Sequence, residues 1–366
     1  MGWEMKILLD KIDSQLIRRF VQLVFLSIVI IIGIQFSSFV TQLENGKIPD
    51  IERPAGVEAF LPIGALVSLK YFIMTGVVNE VHPSGLVFFL LVCLSSLIMK
   101  KSFCSWVCPF ALLSEYLAKI NSVLFKKPVK MPFYADFILR SIKYLLAVFF
   151  VYTIFVKMSG RAVEQFIYSP YNVISDIKML KFFTNISFTA LIVIIFLVVL
   201  TVIFNNFWCR YLCPYGAVTG FIGFLSACKI RRDSESCTGC GQCDRVCPSL
   251  ISISEKRIVH SDECTVCLRC TSVCPEKETL RLSFFSKALP VRPVIACLIL
   301  FTIFGGGILA ADFLGHWQNK VTNQQYLIYM ASQGMIHKKN VMPKTKDNKK
   351  MERMRKMMEM MNREKQ

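Results

Sequence analysis

Long apolar runs separated by short polar segments dominate the hydropathy pattern of the chain. Four runs approach the roughly 20 residues that a helix needs to cross a bilayer, and they cover residues 20–40, 142–158, 186–204 and 291–314. A fifth run, 85–99, is shorter, but it ends at two lysines and its helix could begin near His82, so we count it as a span. The pattern predicts about five transmembrane helices.

The basic residues beside these runs predict how the spans are oriented. Four of them lie between positions 6 and 19, and Lys and Arg are frequent in residues 100–143 and 205–292. Because Lys and Arg are retained on the cytoplasmic side, the amino terminus and both loops are predicted to be inside. We expect a multi-pass protein of the plasma (inner) membrane. Five spans place the tail outside, whereas its many lysines favour the inside, so the side of the tail stays open.

The chain also contains an internal repeat of about 106 residues. Residues 57–60 (VEAF) correspond to 163–166 (VEQF), and residues 103–110 (FCSWVCPF) correspond to 208–215 (WCRYLCPY). Each copy would contain an outgoing span, an external segment, a returning span and a Cys-x3-Cys-Pro motif at the inner surface. Parallel repeats predict a pseudo-twofold axis along the membrane normal, which would bring the two motifs together.

Composition agrees with a membrane protein and narrows its chemistry. The 366 residues are 54% hydrophobic with a mean hydropathy of +0.49, which is too apolar for an ordinary soluble enzyme. The net charge of +18 is concentrated beside the apolar runs and in the tail, and no nucleic-acid-binding module is recognisable. We therefore predict contact with the lipid bilayer and no nucleic acid. Eight of the 15 cysteines fall in two dense runs, which favours metal ligation over a disulfide scaffold.

Those two runs have the spacing of a two-cluster bacterial ferredoxin, Cys-x2-Cys-x2-Cys-x3-Cys-Pro, and each 4Fe-4S cluster borrows its fourth ligand from the other run. Zinc has no use for this arrangement. The residues between the runs, 251–260, alternate in polarity and predict a small hairpin. The predicted ligands are Cys237, Cys240, Cys243 and Cys274 for cluster 1, and Cys264, Cys267, Cys270 and Cys247 for cluster 2.

The predicted fold is therefore a membrane all-α bundle of duplicated two-helix units with an inserted α+β ferredoxin-like domain. Its segments are a cytoplasmic amino terminus (1–19), the first membrane repeat (20–120), the second membrane repeat (121–227), the ferredoxin-like domain (228–285), the fifth transmembrane helix (286–315) and a Met- and Lys-rich tail (316–366).

The two Cys-x3-Cys-Pro motifs, with Cys104, Cys108, Cys209 and Cys213, allow three interpretations. Together the four thiolates could hold a third iron-sulfur cluster or another soft metal such as copper. They could instead form a thiol/disulfide relay, or be buried helix cysteines four residues apart. Repetition of the flanking residues favours the first interpretation. Cys93, Cys228 and Cys297 have no partner pattern and are interpreted as apolar filling.

Three ionisable residues near the external segment of the first copy are candidates for catalysis: Glu58, Lys70 and His82. We interpret residues 60–78 as a re-entrant or interfacial segment, in which an ionisable side chain is costly unless it is paired or near water. Snorkelling of Lys70 to the interface is the simpler explanation. The alternative is that the three residues line a quinone site and handle quinol protons, with Glu164 and Asp176 as their counterparts in the second copy.

The tail carries a methionine stripe at helical spacing, Met351, Met354, Met358 and Met361, among charged residues. Such a stripe is typical of a partner-facing surface. Capture of copper(I) by the thioethers is the alternative.

The combination of CSWVCP at 104–109 and CRYLCP at 209–214 with the double ferredoxin motif resembles the NapH, NosR and FixG/CcoG family of membrane polyferredoxin-like proteins. The resemblance covers roughly residues 16–314. It implies a quinol dehydrogenase-like oxidoreductase subunit that moves electrons from the quinone pool, or from a cytoplasmic donor, to an unidentified partner redox protein. The FixG/CcoG resemblance also allows a copper-reducing assembly factor. The direction of electron flow stays open, and any activity would be carried by cofactors.

Overall fold

The computed structural model describes residues 14–124, 131–276, 278–284, 289–290 and 292–336. The methionine stripe of the tail lies outside these residues.

Three helices in the described part of the chain are long and apolar enough to cross a membrane: Ser14–Glu44, Tyr134–Lys157 and Pro293–Phe313. They expose large apolar side chains such as Ile31 (63%) and Leu309 (70%). Helices that leave continuous apolar surface uncovered in this way are suited to lipid rather than water. The protein is a membrane protein. The second and third helices each include one turn of π-helix, Thr153–Lys157 and Thr302–Gly306.

The other predicted spans are less regular. The run at 186–204 forms the helix Phe188–Ile203, which follows the helix Ser175–Thr184 at a bend of 79°. The run at 85–99 forms the helix Pro83–Met99, whose 17 residues fall short of a full span. The five-helix bundle and its duplicated units therefore stay predictions.

Short helices occupy the segments that were predicted to be external. In the first copy a 3-10 helix, Ala55–Phe60, precedes the helix Pro62–Thr75, which ends at Gly76 in the left-handed conformation with φ 71°. In the second copy the helices Gly160–Ile167 and Pro170–Val173 begin at the serine caps Ser159 and Ser169. With 14 residues, Pro62–Thr75 is too short to span, as expected of a re-entrant or interfacial segment.

Each Cys-x3-Cys-Pro motif joins two helical pieces. The helix Ser102–Trp106 precedes the helix Pro109–Leu124 in the first copy, and the π-helical turn Trp208–Leu212 precedes the helix Pro214–Gly223 in the second. In both copies proline is the first residue of the second helix, where its missing N–H costs nothing.

The ferredoxin-like insert is closed by a three-stranded antiparallel sheet of Cys228–Arg232, Leu280–Phe284 and Leu289–Pro290. Cys228 pairs with Phe284 and Arg232 with Leu280, so the first and last parts of the insert lie side by side. Two single-turn helices, Gln242–Arg245 and Arg269–Ser272, contain the third cysteine of each run, Cys243 and Cys270.

The hairpin predicted for residues 251–260 is not formed. A turn occupies the middle of this segment, and Ile258 instead makes a bridge with Arg231 of the first strand. The Val259 N–H donates to the Ile230 carbonyl at 2.9 Å. The segment pairs instead with a strand more than 20 residues away, and local spacing carries no information on that partner.

The chain divides into two compact units. Among the described residues, the first contains those of 14–29, 90–150 and 188–307, and it holds both Cys-x3-Cys-Pro motifs and the insert. The second contains those of 30–89, 151–187 and 308–336. The predicted segment boundaries, which follow the repeat along the chain, stay predictions.

The second unit is built around an apolar core with one ionic group at its centre. The helix Asn323–Ser332, started by a capping box between Thr322 and Gln325, contributes Tyr326 to that core. Arg53 lies against the Tyr326 ring and forms ion pairs with Glu58 at 2.9 Å and Asp176 at 2.7 Å. All three ionic side chains are at most 5% exposed.

We expect Arg53→Ala to destabilise the second unit by roughly 3–5 kcal/mol, because it leaves two carboxylates buried without their cation. Thermal unfolding of the purified protein in detergent measures the loss. Arg161→Ala is the control, since Arg161 is exposed in the same unit and its removal should leave the transition unchanged. Equal transitions for the two variants would contradict a central role for Arg53.

Candidate iron-sulfur centre

Cys247, Cys264, Cys267 and Cys270 line one cavity in the insert. Most of its other walls are apolar. The apolar residues that line it are Ile230, Ile251, Ile253, Val259, Val266 and Leu268. Three of the thiols come from the second run and the fourth from the first. The cavity thus gathers the same four cysteines that spacing assigns to cluster 2.

Cys237, Cys240, Cys243 and Cys274 line a second cavity, again with one thiol from the other run. In this cavity Cys240 is exposed, whereas Cys267 and Cys270 of the first cavity are buried. Its lining also includes charged and polar groups such as Arg232, Gln242 and Glu276.

Left-handed residues shape both cysteine loops. In the first run these residues are Gly239 and Gly241, with φ of 71° and 66°. At the matching places of the second run stand Val266 and Leu268, with φ of 51° and 58°. A side chain in this conformation costs on the order of 1–2 kcal/mol. Both side chains are about 98% buried in the wall of the cavity, so their packing compensates for the strain.

The chemistry of both cavities fits iron-sulfur clusters. Soft thiolates are the ligands such clusters take, and the shared fourth cysteine is the two-cluster pattern. Burial raises the pKa of Cys264 to about 11, so an unliganded thiol there keeps its proton at neutral pH and a bound metal would replace that proton. Among the described residues no three His, Cys, Asp or Glu side chains are grouped tightly enough for a single metal ion. Cluster ligands do not need that grouping, since each thiolate binds a different iron.

The cysteines of the two Cys-x3-Cys-Pro motifs lie near one another. The Cys104 sulfur is 4.0 Å from the Thr219 hydroxyl, on the helix that follows the other motif. Burial raises the pKa of Cys209, and the neighbouring thiols Cys108, Cys213 and Cys104 raise it further. The structure therefore brings both motifs to one place, with four thiols in mutual electrostatic contact.

Both motifs also hydrogen-bond to the wall of the cavity that holds Cys264. The Ser105 hydroxyl donates to the Thr265 carbonyl at 2.7 Å, and the Trp106 indole donates to the Val266 carbonyl at 3.0 Å. In the second copy Arg210, at the position equivalent to Ser105, donates to the Ser249 carbonyl at 2.7 Å. The residues between the paired cysteines thus connect the motifs to the insert.

A polar face of the first long helix supports the same region, and of its residues only Arg18 contributed to the prediction, as a topology signal. Gln15 donates to the Cys267 carbonyl at 3.0 Å, while Arg18 and Gln22 both donate to the Ser105 carbonyl. Arg18 also forms an ion pair with Glu115 at 2.6 Å. Their spacing of three and four residues was the available signal, because it places all three on one helix face.

A second missed group surrounds two carboxylates that precede Cys264. Glu263 pairs with Lys101 at 3.1 Å and with Lys143, and Arg140 contacts both Glu263 and Asp262. Burial would raise the pKa of Glu263, but Lys101 and Lys143 overcome it and hold the pKa at about 2. This carboxylate is therefore ionised at neutral pH.

Of the three candidate catalytic residues, Glu58 and His82 lie together, whereas Lys70 contacts other groups. The His82 Nδ1 atom is 3.2 Å from the Glu58 carboxylate, and Nε2 is 2.7 Å from the Asn172 carbonyl. Glu58 also accepts from Arg53 Nη1 at 2.9 Å and from the Gly85 N–H at 3.0 Å. Both ring nitrogens face acceptors, so the imidazolium form satisfies them best.

Lys70 has a different environment, and the snorkelling interpretation is wrong in its detail. Lys70 is only 8% exposed. Its ammonium group donates to the backbone carbonyls of Ile154 at 3.0 Å, Phe155 at 3.2 Å and Met158. These carbonyls are unsatisfied at the end of the helix that closes with Thr153–Lys157. Lys70 is a cap for that helix end.

Glu164 and Asp176, the counterparts of these residues in the second copy of the repeat, differ in burial. Glu164 is exposed, whereas Asp176 is buried and paired with Arg53. The ionic cluster of the second unit therefore draws on both copies of the predicted repeat without being symmetric.

Comparison with known proteins agrees with this geometry. The family model described as a 4Fe-4S binding domain matches residues 81–132 and 186–232, and the 4Fe-4S dicluster domain matches residues 229–275. No solved structure matches.

Three curated relatives are similar to this chain over different parts of its length. The protein YccM of Escherichia coli K12 is 37% identical over 315 residues, which covers 84% of this chain and 88% of the relative. The methylamine utilization ferredoxin-type protein MauN of Methylobacillus flagellatus is 24% identical, covering 56% and 67%. The ferredoxin-type protein NapH of Escherichia coli K12 is 26% identical, covering 41% and 48%.

The buried imidazolium predicts a pH dependence of stability. Burial alone would lower the pKa of His82, but the adjacent Glu58 carboxylate raises it above the ordinary 6.5. The contribution of His82 to stability is then complete below pH 6.5 and is lost as pH rises through the folded pKa. Detergent-solubilised protein should therefore lose thermal stability as pH rises above 6.5, and His82→Gln should flatten this dependence.

The matched control is His260→Gln, because His260 is exposed and lies in the other unit. It should keep the wild-type dependence on pH. If His82→Gln retains that dependence as well, the imidazolium assignment is incorrect.

Proposed function

This chain belongs to the family of membrane-associated 4Fe-4S ferredoxin-type electron transport proteins, and we propose that it passes electrons between quinol, or a cytoplasmic donor, and a partner redox enzyme. We place it in the plasma membrane with the insert on the cytoplasmic side, as the distribution of basic residues favours.

The observation that carries the proposal is the pair of cavities in the insert, each lined by four thiols drawn from both cysteine runs. We assign cluster 1 to Cys237, Cys240, Cys243 and Cys274, and cluster 2 to Cys264, Cys267, Cys270 and Cys247. Bound 4Fe-4S clusters would supply one-electron transfer. The loops supply thiolates and backbone N–H groups, and the apolar walls of the cluster 2 cavity exclude water.

We further assign a third cluster to Cys104, Cys108, Cys209 and Cys213, which we call the paired site. Support comes from the grouping of the four thiols and from the 4Fe-4S binding family, whose matches include both motifs. Ser105, Trp106 and Arg210 hold this site against the wall of the cluster 2 cavity through hydrogen bonds to backbone carbonyls. Such bonded contacts keep two redox groups at a fixed separation.

The other end of the proposed electron-transfer path is cluster 1, next to the exposed Cys240. Cluster 1 would exchange electrons with a soluble protein there, since Cys240 is the exposed thiol of its set. The order of sites is then cluster 1, cluster 2 and the paired site, with either direction of flow allowed.

For quinol we propose Glu58 and His82 as the proton-handling pair. Both are buried and in contact, and buried ionisable groups in membrane proteins commonly mark proton or substrate sites. Lys70 is less suited, because three backbone carbonyls already take up its ammonium group.

A copper-reducing or metal-handling assembly factor is the second candidate. The specific observation in its favour is the buried four-thiol paired site, because soft thiolates also select copper(I). Metal analysis of the paired site separates the two functions.

Anaerobically purified protein should contain about twelve iron atoms, four for each assigned 4Fe-4S cluster. The double variant Cys104→Ser, Cys209→Ser should lose about four of them and keep the rest. The control is Cys93→Ser, Cys297→Ser, which removes two cysteines outside every assigned set and should keep all the iron. Iron and copper are measured by elemental analysis and the clusters by electron paramagnetic resonance.

Iron unchanged in the Cys104→Ser, Cys209→Ser variant would exclude the third cluster, and copper lost in its place would favour the second candidate. A colourless, iron-free wild-type protein would overturn the electron-transfer proposal altogether.

Reduction of the clusters by a menaquinol analogue should slow by about 100-fold in His82→Gln, as expected on removal of a proton-transfer group. Reduction by dithionite should be unchanged, which shows that the clusters are intact. Glu164→Gln is the control, since Glu164 is an exposed repeat counterpart. Wild-type rates in His82→Gln would rule out the quinol role, and reduction only by a soluble donor would place the donor on the cytoplasmic side.

A further inference from the structure

Two adjacent lysines directly follow the helix Pro83–Met99, and both are buried. Lys100 is 1% exposed and Lys101 is 3% exposed. Removing an ammonium group from water costs several kcal/mol unless other charges compensate. Lys100 has a left-handed backbone with φ 51°, which is uncommon for a residue other than glycine. These positions are therefore costly, and the compensation must lie in what the two side chains contact.

Lys100 reaches the loop that leads into Cys264. Its ammonium group donates to the Ser261 carbonyl at 3.1 Å. The same carbonyl accepts the Cys264 N–H at 3.2 Å, so the ammonium group and this cluster 2 ligand are joined through one backbone carbonyl. The cation of Lys100 thus lies beside the residue that would carry a cluster 2 thiolate.

Lys101 reaches the paired site. Its backbone carbonyl accepts from the Cys104 N–H at 3.0 Å, so the two residues share one helical turn. The Cys104 and Cys209 thiols, which come from the two copies of the motif, are both within electrostatic range of the Lys101 ammonium group.

The surrounding charges do not cancel the two lysines. Four cationic side chains, Lys100, Lys101, Arg140 and Lys143, are grouped around two carboxylates, Asp262 and Glu263. Positive charge is thus in excess next to Cys264 and the paired site. If the structure served only to neutralise the carboxylates, fewer buried cations would suffice.

Excess positive charge has a defined effect on a thiolate-ligated cluster. Four thiolates outweigh the charge of the iron-sulfide core, so the cluster is an anion and each added electron increases its negative charge. A fixed cation nearby stabilises the reduced form and raises the reduction potential. The effect is larger in a buried, low-dielectric site than in water.

We propose that Lys100 and Lys101 are positioning residues for electron transfer, fixed cations that raise the reduction potentials of cluster 2 and of the paired site, respectively. The inference rests on the proposed function, because it requires clusters at both places. It goes further by assigning one cation to each redox site.

Lys143 provides a matched control within the same ionic group. It is fully buried and binds the same Glu263 carboxylate as Lys101, but it does so on the other oxygen, Oε1, from the helix Phe133–Tyr152. Lys143→Met breaks the network as severely as Lys101→Met does, while it leaves both lysines next to the cysteine sites in place.

The test is an anaerobic redox titration of the full-length protein, followed by electron paramagnetic resonance, in wild type and in Lys100→Met, Lys101→Met and Lys143→Met. At a fixed solution potential we expect the ratio of reduced to oxidised cluster 2 to fall about tenfold in Lys100→Met. The paired-site signal, identified by its loss in Cys104→Ser, Cys209→Ser, should fall similarly in Lys101→Met. A tenfold change corresponds to about 59 mV for a one-electron couple.

Unchanged reduction potentials in Lys100→Met and Lys101→Met, at full iron content, would overturn the inference. So would a shift of the potentials in Lys143→Met as large as in the other two variants. A paired-site signal missing from wild type would overturn it as well. Lys101→Arg should restore the wild-type potential, because it keeps the charge. A protein without clusters fails the proposed function instead, and elemental analysis of each sample distinguishes that failure from unchanged potentials.

Discussion

Backbone carbonyls in the cysteine loops of the insert need donors, and this requirement fixes the position of the paired site. A buried carbonyl without a partner costs about 1–3 kcal/mol. Trp106, Ser105 and Arg210 donate to three such carbonyls, and Gln15 donates to that of Cys267. Since each donor is held by a helix, the loops cannot shift without breaking several of these bonds. The arrangement of thiols in this unit therefore depends on hydrogen bonds made by residues that bind no metal.

Spacing alone was enough to predict which cysteines would lie together. The fourth cysteine of each run comes to the cavity of the other run, as in two-cluster ferredoxins. The same kind of local pattern failed at residues 251–260, where alternation predicted a hairpin but Ile258 pairs with Arg231. The spacing of the cysteines reflects the ligands that a cluster requires, and it is therefore visible in the sequence. Strand pairing depends instead on contacts between distant segments.

The ionic groups also show that local sequence does not reveal a distant partner. Sequence singled out Glu58 and His82 because ionisable residues beside apolar runs are conspicuous. Arg53 and Tyr326 escaped notice, although Arg53 joins Glu58 to Asp176 and Tyr326 covers it. Lys70 was noticed but misinterpreted, since nothing local reveals that its partners are carbonyls 84 to 88 residues away. Charge type is readable from sequence, whereas the distant partner that decides its role is not.

The different left-handed residues of the two cysteine loops have a consequence for reaction with small oxidants. Gly239 and Gly241 carry no side chain to cover the cavity beside the exposed Cys240, whereas Val266 and Leu268 wall off the cavity of Cys267. Dissolved oxygen or peroxide would thus meet a cofactor in the glycine loop first. Damage during aerobic handling would begin there, and the shielded neighbour would survive longer.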